Sequence, residues 1–245
     1  MNSKDNKQKK KKSKLFNNFC YDFVRITGAL PMLLWLRPKI YRPYGRVSLK
    51  GGVMLSANHR SLLDPVIVHT AFPSARMNCL ATKDLFNTKT KKVFFNLMNC
   101  ICVDKENFTL SAFHEVVSRL EDGKTVVIFP EGRLYSDSED TIHAFKSGAV
   151  LMAYKGKKPI LPIYIVKREK WYHRQKIVIG KPFDVAEAVG KMPTMDQLNA
   201  ATETLRKMEF SLREYYESIS KKRKKDKSPE TKENITEEIK DEQTL

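Results

Sequence analysis

Between Leu15 and Arg37, apolar residues return at alternating steps of three and four: Phe16, Phe19, Phe23, Ile26, Leu30 and Leu33. That spacing makes one apolar face of a helix. Asn17, Asn18, Asp22 and Arg25 interrupt it, and the longest uncharged run, Ile26 to Leu36, has 11 residues where a membrane span needs about 20. An amphipathic helix over 15–40, lying at a membrane interface, is the prediction. Further along, short apolar runs at Val53–Ala57, Asn78–Thr82, Asn99–Val103, Thr125–Phe129, Ile160–Val166 and Lys176–Ile179 read as strands. Helical patterns separate them. One spans Thr109 to Glu121, with Leu110, Phe113, Val116, Val117 and Leu120 on one face and Gly123 as its stop, and another spans Ser147 to Lys155. Thr194-Met-Asp-Gln197 reads as a capping box that opens a helix with Leu198, Ala201, Leu205, Met208, Leu212, Tyr215 and Ile219 along one stripe. The alternation predicts a single α/β domain over 41–220, its strands sheathed by helices.

Charge adds the ends of the molecule. The formal net charge is +17, and residues 1–14 alone carry seven lysines against one aspartate. They are expected to form a disordered basic arm, and the charged residues 221–245 a disordered tail. A polybasic arm followed by an amphipathic helix supplies the two signals that peripheral membrane attachment requires. Asp22 and Arg25 interrupt the apolar stretch and no small-residue cleavage site follows it, so a removable leader is not expected. The surplus also suits nucleic acid, but no RNP, zinc-finger or helix-turn-helix pattern accompanies it, so no nucleic acid is expected as a partner. The competing reading from charge is a non-catalytic basic module on anionic membranes or nucleic acid. Cys20, Cys79, Cys100 and Cys102 form no CxxC pair and have no histidine at zinc-ligand spacing. They are expected to be reduced packing residues, and no metal site is expected.

Candidate chemistry begins at Asn58-His-Arg-Ser-Leu-Leu-Asp-Pro65. The preceding strand and the following helix place His59 in a strand-to-helix loop, with Asp64 as the helix N-cap and Pro65 at the first helical position. An imidazole beside a carboxylate has a fixed tautomer and raised basicity, as a base taking a proton from a hydroxyl needs. Thr125-Val-Val-Ile-Phe-Pro-Glu-Gly-Arg133 is a strand that ends in a carboxylate, a glycine and a guanidinium, the layout of a ligand loop. Arg133 offers a fork matched to phosphate, and Gly132 allows close approach to the backbone. Lys83, Lys105 and Lys146 also follow predicted strand ends or open a helix. Together these four cations suit a phosphate monoester or a pyrophosphate. Gly123-Lys-Thr125 is not a phosphate loop, because Ser118 stands where the first glycine is required and the helix precedes the motif.

Taken in order, Asn58-His59 with Asp64-Pro65, Lys83-Asp-Leu-Phe86, Asp104-Lys105, Phe129-Pro-Glu-Gly132 with Phe145-Lys-Ser-Gly148, and Leu161-Pro-Ile163 resemble the motif blocks of the glycerolipid acyltransferases. The resemblance covers about residues 53–165. It implies an acyltransferase domain with a mixed sheet flanked by helices, preceded by a membrane-contacting helix on the cytoplasmic side of a membrane. It further implies transfer of a fatty acyl group from acyl-CoA or acyl carrier protein to the sn-2 hydroxyl of lysophosphatidic acid, giving phosphatidic acid, with no cofactor. Another lysophospholipid or glycerol phosphate is the alternative acceptor. His59 would be the general base and Asp64 would orient it; Glu131 would position glycerol, and Lys83, Lys105 and Arg133 would bind phosphate. Two departures stand out. Arg133 follows Gly132 directly, without the threonine usual between them, and Lys105 replaces the usual arginine.

Overall fold

The computed structural model describes residues 3–104, 109–135 and 142–225. The chain opens with helix α1 (Ser3–Leu36), followed by β1 (Lys39–Tyr41), β2 (Met54–Ala57), α2 (Asp64–Ala71) and β3 (Met77–Thr82). A single 3-10 turn (Lys83–Phe86), α3 (Lys89–Leu97), β4 (Ile101–Val103), α4 (Leu110–Glu121) and β5 (Thr125–Ile128) come next. The domain ends with α5 (Gly148–Lys155), β6 (Ile160–Ile165), β7 (Lys176–Ile179), α6 (Val185–Val189) and α7 (Met195–Lys225). The strands lie in the order β1-β7-β6-β2-β5-β3-β4. Every pairing is parallel except β6 with β7, so the expected mixed sheet is present.

Both faces of this sheet are covered, which is why its central strands read as unbroken apolar runs. Met54, Val126 and Ile160 pack with Val116, Leu120, Val150 and Leu205 from α4, α5 and α7. Their neighbours Leu55, Val127 and Leu161 turn the other way, onto Ile67, Val68 and Ala71 of α2 and Leu36 at the end of α1. The capping box is reciprocal: Thr194 N donates to Gln197 Oε1 at 2.9 Å, and Gln197 N donates to Thr194 Oγ1 at 3.3 Å. Because β2, β5 and β3 are adjacent and parallel, the loops after them leave the sheet side by side along one rim.

Several expectations are corrected. The backbone of the basic arm is helical from Ser3, since lysine and glutamine are good helix formers and no glycine or proline breaks the run before Gly28. The N-terminal helix stops at Leu36 rather than reaching 40. Arg37 has φ 42° and Pro38 follows, and Lys39–Tyr41 instead pairs with β7 at the sheet edge. Helix α7 runs on to Lys225, five residues into the expected tail; residues 226–245 lie outside those described. Cys102 is exposed rather than packed, because the alternation of β4 buries Ile101.

Helix α1 turns its apolar stripe away from the domain. Phe16, Phe19, Phe23, Ile26, Leu30 and Leu34 are exposed, whereas Tyr21 and Leu36 are buried. Met77 N donates to Tyr21 Oη at 3.0 Å, and Asp22 pairs with Arg76. Counted through Asp22, which bonds inward, Asn18–Leu36 is 19 residues at mean hydropathy 1.3, long and apolar enough by length and composition to cross a membrane.

On α7 the apolar stripe contains an acid. Glu209 is fully buried, Ser56 Oγ donates to its Oε1 at 2.5 Å, and its Oε2 has no partner among the described residues. Burial pushes this carboxyl well above its usual range, opposed by the Ser56 bond and assisted by the charge of Glu131. An acid whose folded pKa is raised takes up a proton on folding above its unfolded value of about 4.3, at a cost of about 1.4 kcal/mol per pH unit until the folded pKa is reached. Glu209→Gln removes that cost and keeps the acceptor for Ser56. Thermal melts should show the variant several degrees above the wild type at about pH 8, with the gap closing by about pH 4. A gap independent of pH would mean that Glu209 is ionised in the fold.

Candidate active site

His59 follows β2 directly, and its loop is fixed from both ends. Asn58, buried, continues the strand pairing with its side chain: Ile165 N donates to Asn58 Oδ1 at 2.7 Å, and Asn58 Nδ2 donates to Ile165 O at 3.1 Å. At the other end, Asp64 is 1% exposed. It is the first residue of α2 rather than its cap, a position that Leu63 takes without a side-chain bond. The Asp64 carboxylate bends back into the loop instead. Its Oδ2 accepts from Arg60 N at 2.6 Å and Ser61 N at 2.7 Å, and lies 2.9 Å from His59 Nδ1. An anion that already accepts two amide protons has its third contact set as acceptor too, so the ring carries its proton on Nδ1 and turns a lone pair on Nε2 outward. Phe129 stacks on the ring at 4.1 Å between centroids and holds its plane.

The β5 loop meets the histidine from the neighbouring strand. His59 N donates to Glu131 Oε1 at 3.3 Å, and Tyr135 N donates to His59 O at 3.1 Å. Glu131 is 4% exposed. Burial pushes its carboxyl up to about 7, against the His59 amide bond and the charges of His59 and Arg60, with Asp64 adding to the rise. The geometry gives Glu131 a contact with the histidine backbone, in addition to the glycerol-positioning role expected of it. Gly132 has φ +72°, and a Cβ there would sit 2.7 Å from Lys146 Cε. A side chain at 132 would therefore push out the lysine that crosses the loop, whose N donates to Pro130 O at 2.9 Å.

His59, Asp64, Glu131, Gly132 and Lys146 thus come together. Of the other expected cations, Arg133 follows in the same loop and Lys83 follows β3. Arg133 lies over the Tyr135 ring at 4.5 Å, and Tyr135 stacks on His143. Lys83 occupies the same rim at the end of β3, where it pairs with Asp104 at 2.6 Å. Lys105 lies outside the described residues. Reasoning from sequence missed the clamp made by Asn58 and the buried Ser56–Glu209 pair. For the latter a signal exists, since Thr202, Leu205, Glu209 and Leu212 are spaced by three, four and three.

A parallel-strand rim places an aspartate-held histidine beside a buried glutamate and a lysine, an arrangement with the chemistry that base-catalysed group transfer needs. The acyltransferase family model matches residues 38–166, and the chain belongs to that family. It is 28% identical over 189 residues, 73% of this chain and 90% of the relative, to a Bacillus subtilis protein named 1-acyl-sn-glycerol-3-phosphate acyltransferase. A Mycoplasma genitalium protein named probable 1-acyl-sn-glycerol-3-phosphate acyltransferase is 29% identical over 152 residues, 59% of this chain and 55% of that one. The fold is shared with the crystal structure of the lysophosphatidic acid acyltransferase PlsC from Thermotoga maritima, at a TM-score of 0.55 and 19% identity over 85% of this chain and 83% of that one.

Proposed function

We propose that this acyltransferase moves a fatty acyl group from a phosphopantetheine thioester, acyl-CoA or acyl carrier protein, to the sn-2 hydroxyl of lysophosphatidic acid, giving phosphatidic acid. The observation that carries the reading is the 2.9 Å contact of His59 Nδ1 with an Asp64 carboxylate already anchored by two amides. The hydroxyl oxygen attacks the thioester carbonyl as its proton passes to His59 Nε2. A C–O bond forms, the C–S bond breaks, and the imidazolium returns the proton to the departing thiolate. No acyl-enzyme is required. Lys146, Arg133, Lys83 and Lys105 are the groups proposed to hold the phosphate monoester, and Glu131 the glycerol.

The names of the relatives support the acceptor, and the outward apolar face of α1 supports a site at a membrane surface, which we place on the cytoplasmic side, within reach of the lysophospholipid. A radiolabelled transfer assay over a panel of acceptors tests the reading. Lysophosphatidic acid should exceed lysophosphatidylcholine by at least about a hundredfold in kcat/KM, because capping the phosphate removes a charge and blocks its forked contacts. Equal rates on both would remove the phosphate monoester from the substrate definition.

A further inference from the structure

Arg133 and Lys146, at the β5 loop, and Lys83, after β3, lie on one side of His59. On the opposite flank, at the ends of β6 and β7, two adjoining cavities have no role in the mechanism above. One, of about 460 Å³, is walled by Arg60, Ser61 and Asp64 of the histidine loop, by Trp35 and Tyr135, and by Val166, Lys167 and Arg168. The second, of about 740 Å³, shares Val166, Lys167 and Arg168 and continues outward to Arg37, Arg174, Lys176, Tyr172 and Tyr216. Its one lining acid, Glu169, lies 3.7 Å from His173 Nδ1.

Several of these cations are held in place by neutral groups, so their charge stays available. Arg37 Nη2 donates to Tyr172 O at 2.7 Å, and Arg174 Nε donates to Arg37 O at 3.0 Å. Arg168 lies over the Trp35 ring at 4.6 Å, and Lys176 Nζ over the Tyr216 ring at 5.4 Å. The result is a concave, basic and aromatic cleft that runs from the base of the histidine loop to solvent. Pockets of this size take small organic ligands, and fixed guanidinium groups favour phosphate.

We infer that this cleft binds the donor, taking the phosphorylated pantetheine arm of the acyl thioester and the polyanionic carrier attached to it. The inference rests on the acyl-transfer reading and adds to it a place for the donor. Acceptor phosphate and donor phosphate then approach His59 from opposite flanks, and the hydroxyl and the thioester carbonyl meet above its Nε2. The phosphate of the arm is common to coenzyme A and to a carrier protein, and the tyrosines give the nucleotide of the former a stacking surface.

The test compares wild type with a Lys167→Gln/Arg168→Gln/Arg174→Gln variant on three donors: acyl-CoA, acyl carrier protein, and an acyl-pantetheine that lacks the phosphate. The variant should raise KM about tenfold or more for whichever phosphorylated donor the wild type uses. That is the size expected when one or more charge-assisted contacts are lost. KM for lysophosphatidic acid, and kcat/KM with acyl-pantetheine, should not change. Competition by adenosine 3′,5′-bisphosphate marks coenzyme A as the source, and its failure together with a raised KM for acyl carrier protein marks the protein carrier; either supports the inference. An equal loss with acyl-pantetheine, an unchanged donor KM, or a rise in acceptor KM alone overturns it. A wild type that transfers from no donor overturns the acyl-transfer reading itself, and the inference with it. Circular dichroism of the variant separates misfolding from lost binding, and a single Arg174→Gln variant, changed only at an exposed side chain, repeats the comparison if the triple variant unfolds.

Discussion

His59→Ala should lower kcat for acyl transfer by about 10² to 10⁴ while leaving KM for both substrates within about twofold, because proton removal is needed only as the hydroxyl attacks. An alcohol is a poor nucleophile near neutral pH, and the thioester alone does not supply the missing basicity. The ring lies at the surface of the site with 18% of its side chain exposed, and truncation leaves Asp64 with its two amide donors. The fold should therefore persist. What is lost structurally is the stack on Phe129, worth about 1 kcal/mol, and the hydrogen bond to Asp64, worth about 1.5 to 3 kcal/mol, so the melting temperature should drop by about 5 to 15 degrees. Single-turnover kinetics on detergent-solubilised substrate separate the chemical step from membrane attachment. Specific activity within a few-fold of wild type would remove His59 as the base.

The reach of the sequence was set by distance along the chain. Strands β2, β3, β5, β6 and β7 were legible to within a residue or so, because burial on both faces leaves apolar runs that are visible locally. The three-residue β1 carries no such run; its place follows from pairing with β7, more than a hundred residues away. Local spacing brought out His59 and Asp64 and set the carboxylate beside the imidazole, as the structure has it, but also read that carboxylate as the cap of α2. A capping aspartate and one that bends back onto the preceding loop have the same chemistry and the same neighbours, and only the backbone path decides which amides it meets. The Asn58 bonds to Ile165 and the Ser56 bond to Glu209 span 107 and 153 positions, so neither leaves a local motif. The same holds for the basic cleft. Arg37, Lys167, Arg168 and Arg174 each read as a solvated cation until β6 and β7 bring them to one wall.

Replacing Asp64 should separate catalysis from folding according to the substitution chosen. The carboxylate oxygen that accepts from Arg60 N and Ser61 N also fixes the histidine proton on Nδ1. Asp64→Asn keeps one oxygen and the shape but loses the charge. All three contacts fall on the single oxygen Oδ2, so the carboxamide oxygen can take its place, accept from the two amides and keep the proton on His59 Nδ1. What is lost is the negative charge beside the imidazolium that forms as the hydroxyl attacks, and kcat should fall by about 10² to 10⁴ with little change in melting temperature. Asp64→Ala removes the acceptor altogether. It leaves two loop amides unsatisfied beside α2, at about 1 to 3 kcal/mol each, so this variant should lose stability as well as rate. Nitrogen NMR of the imidazole reads the cause directly: the proton should sit on Nδ1 both in the wild type and in Asp64→Asn. If it moves to Nε2 in Asp64→Asn, the carboxamide has turned its nitrogen to the ring, and the lost rate comes from the wrong tautomer rather than from the missing charge.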